Sequence, residues 1–143
     1  MISISIPSFN RSDLTIRSFI SVLNDSRVSE IVINDDASNI DIYDDLCSKV
    51  KSLENDKIKV FRNSENIGSF LNKRKSVSLS TNEWVILLDS DNIVNTDYLD
   101  INAVFPFHKP HLCQNLLLIF QQDFRCVNTR QKVWLMEWKN CTL

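Results

Sequence analysis

A chain of 143 residues with 16 basic and 18 acidic side chains, and a formal charge of -2, has the size of one ordinary domain and gives no electrostatic reason to expect nucleic acid as a partner. Its longest apolar run, LLLIF (Leu116 to Phe120), is far too short to cross a bilayer, which excludes a transmembrane segment. The opening MISISIPSFN alternates apolar and polar residues without a basic leader, so it reads as a strand and not as a signal peptide.

In chain order, Ile2, Ile4 and Ile6 alternate up to Pro7 and predict a first strand. Ser12 is placed to cap a helix whose apolar face is Ile16, Phe19, Ile20 and Leu23. A second strand is expected from about Val28 to Asn34, and Tyr43, Leu46, Cys47 and Val50 repeat the helical spacing after it. IKVF (Ile58 to Phe61) predicts a third strand, Ser69 a cap for a helix to about Ser80, and WVILL (Trp84 to Leu88) a fourth strand buried on both faces. Strands alternating with helices over short connections imply a parallel sheet covered on both sides, with ligands outside the carboxyl ends of its strands.

All four predicted carboxyl ends are polar, and two carry paired acids. Pro7-Ser8-Phe9-Asn10 follows the first strand, Asp35-Asp36-Ala37-Ser38 the second, Arg62-Asn63 and Asn66-Ile67-Gly68 the third, and Asp89-Ser90-Asp91-Asn92 the fourth. Each alone reads equally as a solvated loop or a helix cap. Two acid pairs converging on one sheet edge would repel each other unless something positive lies between them, and a divalent cation with carboxylate and phosphate oxygens as ligands is the natural candidate. Gly68 is the only glycine, so no glycine-rich phosphate loop of either common type exists. Phosphates would have to be held by metal and by cationic side chains, for which Lys73, Arg74 and Lys75 are available; the same run also reads as an exposed basic helix face.

The tail differs in composition. Residues 1–100 carry 11 basic and 16 acidic side chains, whereas residues 101–143 carry 5 and 2. Every serine lies before residue 91, and every glutamine and both histidines lie after residue 107. A boundary is therefore expected near residue 104, with 1–104 as the binding domain and 105–143 as an atypical tail. QQDFRCVNTRQKVWLMEWKN in that tail reads as an amphipathic helix or a strand. The four cysteines show no paired or zinc-ligand spacing, which suits free thiols in a cytoplasmic protein.

ISISIPSFNR, EIVINDDAS, FRNSENIGSF and EWVILLDSDN, in this order and spacing, resemble the inverting family 2-like glycosyltransferases of the GT-A fold over about the first hundred residues. The resemblance implies a Rossmann-like parallel sheet flanked by helices, a nucleotide-diphosphate sugar donor, and Mg2+ or Mn2+ as cofactor. It implies that Ser8 and Asn10 lie beside the nucleotide, that Asp36 faces the base with Asp35 assisting, and that Asn66, Gly68 and Lys73 complete the nucleotide site. Asp89 would touch the ribose or diphosphate, and Asp91 would hold the metal. The family's Ala-Arg-Asn run on the third helix is Asn72-Lys73-Arg74 here, so a cation is kept. Transfer to an acceptor, whether glycan, lipid or protein, also needs a general base. The only acids of the tail are Asp123 and Glu137, neither in a matching context, so the acceptor half reads as incomplete or replaced. The alternative functional reading is an inactive nucleotide-binding remnant or the partner subunit of a longer transferase. A phosphoacceptor receiver domain is a third reading, opposed because the Asp pair follows the second strand and no fifth strand is readable.

Overall fold

The computed structural model describes residues 1–94, Thr96 and Leu99, and the backbone of Lys132–Met136. Its elements are β1 (Ile2–Ser8), α1 (Ser12–Phe19) continued by a 3-10 turn (Ile20–Val22), β2 (Val28–Asp35), α2 (Ile40–Ser52), β3 (Ile58–Arg62), α3 (Ser69–Ser78), β4 (Trp84–Leu88) and β5 (Lys132–Met136). The strands form one sheet in the order β3-β2-β1-β4-β5, and every neighbouring pair is parallel. This is the α/β architecture, a parallel sheet flanked by helices, expected from the alternation of elements.

The period of two in β1 decides how the sheet is covered. Ile4 stands in register with Ile31 of β2 and Ile86 of β4, and Ile6 with Ile33 of β2. Together with Phe19, Val22, Leu23 and Leu46 they form the apolar core on one face, beneath α1 and α2. On the other face Ser3, Ser5, Glu30 and Asn34 are all buried, and α3 lies over them. The helix answers with polar groups of its own. Ser5 donates to Ser76 at 2.9 Å, and Asn34 donates from Nδ2 to Asn72 Oδ1 at 2.6 Å. The first face is thus held by burial of apolar area, and the second adds matched hydrogen bonds to its own buried Val32, Val77, Val85 and Leu87, which specify a single placement of α3.

Several local expectations are corrected. Arg11, not a serine, occupies the N-cap of α1, and Ser12 instead donates to Asp45 Oδ2 at 2.6 Å, tying α1 to α2. Gly68 occupies the N-cap of α3 with φ 86°, a backbone setting that penalises any side chain. Ile20 is 42% exposed because the chain tightens into the 3-10 turn there and carries it off the buried face. A fifth strand does exist: KVWLM pairs in parallel with β4 through Leu88↔Met136, so this part of the tail extends the sheet. The strand order also removes the receiver reading, because such domains follow the order 2-1-3-4-5.

β2 and β4 flank β1 on opposite sides, so the chain reverses direction of winding at β1. The crevice between the carboxyl ends of β1 and β4 is where a doubly wound sheet offers a binding site.

Candidate functional site

A cleft of about 400 Å³ opens there. The end of β1 and the turn after it contribute Pro7, Ser8, Phe9 and Arg11; the turn after β2 contributes Asp36; the approach to α3 and its first turns contribute Asn66, Ser69, Asn72 and Lys73; the turn after β4 contributes Asp89, Ser90 and Asp91. The four predicted strand ends therefore do converge.

The two acid pairs are built differently. Asp35 is 1% exposed; its Oδ2 accepts from Ser38 N at 2.9 Å, its Oδ1 from the Ser38 hydroxyl, and Arg62 Nε stands 3.8 Å away. Those bonds hold Ala37 at φ 58°. Asp36 is 2% exposed and accepts three bonds: from Asn63 Nδ2 at 2.7 Å and Ile67 N at 2.9 Å on Oδ1, and from Gly68 N at 3.0 Å on Oδ2. Asp36 thereby fixes the turn that enters α3. Asn63 and Asn72 join it to β2 through Asn34, and Asn72 Nδ2 also donates to Asn34 O at 3.1 Å.

The pair after β4 is far less enclosed. Asp89 meets Lys73 Nζ at 2.8 Å, with side-chain exposures of 25% and 18%. Asp91 meets Arg11 Nη1 at 2.8 Å, both side chains about half exposed. The turn carrying them is closed by Asn92 N donating to Asp89 O at 2.9 Å and is tied to α1 by Val94 N donating to Ser18 O at 3.0 Å. The repulsion expected between converging carboxylates is relieved by the protein's own groups, namely backbone N–H for the inner pair and Lys73 and Arg11 for the outer.

Of the expected nucleotide residues, Ser8, Asp36, Asn66, Lys73 and Asp89 line the cleft, as does Asp91. Asn10, Asp35 and Gly68 stand behind its walls. Asn10 sits at φ 52° and stitches two loops, accepting from Asn39 N on Oδ1 and donating its own N–H to the Ser38 hydroxyl, each at 2.8 Å. Arg11 went unnoticed in the sequence because its partner lies 80 positions away and no local spacing signals it. Phe9, 44% exposed on the cleft wall, carried a signal that was missed: a bare aromatic at a strand's carboxyl end. Asp123 and Glu137 lie outside the described residues, as do the cysteines other than Cys47.

The sequence model of glycosyl transferase family 2 matches residues 3–140. Over 127 residues the chain is 29% identical to an Escherichia coli (strain K12) protein named "Putative colanic acid biosynthesis glycosyl transferase WcaA"; the match covers 88% of this chain and 43% of that protein. Among solved structures, S. aureus TarS 1-349 superposes with a TM-score of 0.59 at 21% identity, over 71% of this chain and 31% of that one. The same TarS fragment in complex with UDP-GlcNAc gives 0.58 at 24% identity, over 71% and 30%. This chain thus spans less than half the length of these relatives, and the structural likeness is one of fold.

Proposed function

Because this chain belongs to glycosyl transferase family 2, we propose that its cleft binds a nucleotide-diphosphate sugar as the donor for sugar transfer, together with a divalent ion. The observation that carries this reading is the cleft wall itself: one exposed aromatic face, two cations and one half-exposed carboxylate, gathered at the switch point of the sheet. Phe9 offers a flat apolar surface to a base. Lys73, one turn into α3, and the N–H groups of that helix's first turn suit a diphosphate. The complex of TarS with UDP-GlcNAc supports the donor class.

The donor set fits a divalent ion that arrives with its substrate. Among the described residues there is no group of three or more His, Cys, Asp or Glu able to cage a metal. Of the described cleft acids, Asp91 presents the most exposed carboxylate, which suits Mg2+ or Mn2+ completed by phosphate and water. Bound there, the ion would supply charge stabilisation at the diphosphate leaving group. The chain's own residues do the rest: Asp36 holds the α3 entrance rigid, Lys73 presents its ammonium to the phosphates, and Asp89 keeps that ammonium in place. A second reading, donor binding without transfer, is favoured by one observation. Asp36, Asp89 and Asp91 are the acids among the described cleft residues, and each is already bonded, so none is a ready general base.

Among the described residues no helix is long and apolar enough to cross a membrane. The spacing of the four cysteines, with no paired or zinc-ligand pattern, supports a cytoplasmic setting for the protein.

Calorimetric titration of the purified chain with a panel of nucleoside diphosphates, with and without Mn2+, tests the proposal. Binding of at least one of them, strengthened by Mn2+ in the wild type and insensitive to Mn2+ in Asp91→Ala, is the expected result. Failure of every nucleotide to bind would overturn the function, and unchanged Mn2+ dependence in Asp91→Ala would overturn the metal assignment. A sugar-transfer assay on the same protein separates the two readings.

A further inference from the structure

We propose that Arg11 is the cleft's own counter-ion: it holds Asp91 while the cleft is empty and hands its guanidinium to the diphosphate when a nucleotide arrives. The inference rests on the nucleotide-diphosphate reading above. Arg11 and Asp91 both line the cleft, from the turn after β1 and the turn after the neighbouring β4, and meet through one bond of 2.8 Å. Their side chains are 47% and 53% exposed, so the pair is bathed in solvent and weakly held. Lys73 and Asp89, at 18% and 25%, form the more enclosed pair of the same site.

The backbone of Arg11 is fixed while its head is not. Its carbonyl accepts from Thr15 N at 2.9 Å and from the Thr15 hydroxyl at 2.7 Å, which anchors the start of α1. The guanidinium, on its long stem, uses Nη1 toward Asp91 and keeps further donors for a second partner. A diphosphate in the cleft presents a fork of oxygens that matches this group better than one carboxylate oxygen does. Releasing Asp91 then makes its carboxylate available to a divalent ion, so nucleotide and ion would enter together.

Two equilibria on the intact chain test this, each in low salt, where exposed charges are least screened. One is Mn2+ binding without nucleotide, read from the electron-spin resonance of free Mn2+. The other is UDP binding without metal, read by calorimetry. Arg11→Gln should raise Mn2+ affinity about two- to five-fold, the scale of an exposed ion pair, while lowering metal-free UDP affinity by at least about that factor. Arg11→Lys, which keeps the charge but not the fork, should fall between wild type and Arg11→Gln in both. In an Asp91→Asn background the Arg11 substitution should leave Mn2+ binding unmoved.

Opposite movement of the two affinities supports the exchange. Movement of both in the same direction, or of neither, overturns it. A wild type that binds neither UDP nor any other nucleoside diphosphate under any metal condition overturns the nucleotide reading and the hand-over with it, whereas the Mn2+ arm reads the hold on Asp91 independently.

Discussion

The two edges of the sheet use carboxylates for opposite ends. At the amino edge, Glu30 is 2% exposed and accepts from Ser3 at 2.6 Å, Lys59 Nζ at 2.7 Å, Thr81 N at 2.8 Å and the Thr81 hydroxyl at 3.1 Å. It pins β1, β2, β3 and the approach to β4 together. At the carboxyl edge, among the described residues, Asp89 and Asp91 each lean on one cation and keep 25% and 53% of their side chains exposed. Asp35 and Asp36 sit on the carboxyl edge but are bonded like Glu30. The number of donors around a carboxylate, more than its position at a strand end, separates the groups that build the cleft from those free to exchange partners.

That contrast can be broken by substitution, and the largest effect is expected at Asp36. Asp36→Ala strands Ile67 N and the Asn63 amide and loosens the entrance to α3. Each buried donor left without a partner costs about 1–3 kcal/mol, so urea unfolding should show a loss on the order of 3 kcal/mol together with weakened UDP binding. The milder Asp36→Asn should weaken UDP more than inorganic diphosphate if the residue also faces the base. Equal losses for both ligands would confine it to shaping the turn.

Glu30→Ala should come next, with about 1–3 kcal/mol lost through Thr81 N and an unchanged UDP affinity for the molecules that remain folded. A drop in affinity at intact stability would erase the distinction between the edges. Asp91→Asn is the converse case: stability within about 0.5 kcal/mol of wild type, as for an ordinary surface position, with Mn2+ dependence of UDP binding lost.

The last contrast is a pH dependence carried by carboxylates outside the cleft. Hydrogen bonding from Arg27 holds Asp25 at about 2. Burial pushes the Glu30 carboxyl up, but Lys59, Ser3 and Thr81 together outweigh it and hold the group below its usual range. A folded value below the unfolded one of about 4 stabilises the fold above that pH, and the contribution is lost as pH falls through the folded value. Unfolding midpoints should therefore decline from about pH 4 toward pH 2. Arg27→Gln should be less stable than wild type at pH 7 and decline less steeply. An equally steep decline would remove Asp25 from this account.

Much of the fold was legible locally. The alternation in ISISIPS, the apolar run WVILL and the helical spacing of Leu46 and Val50 each follow from the period of one element, and β4 was delimited to the residue. The acids at the ends of β2 and β4 were visible too, because a buried strand that stops at charged residues stops where the sheet does. Other features depended on partners distant in sequence. KVWLM has no alternation to mark it as a strand, and β4, 48 positions earlier at every pair, supplies its ladder. NDDAS and LDSDN look alike as sequences, yet Asp36 is enclosed by Asn63, Ile67 and Gly68 while Asp91, among the described residues, meets Arg11. Local periodicity reports which way a side chain faces. Which donors await it is set by the strand order 3-2-1-4-5, which brings residues 27 to 80 positions apart into hydrogen-bonding range.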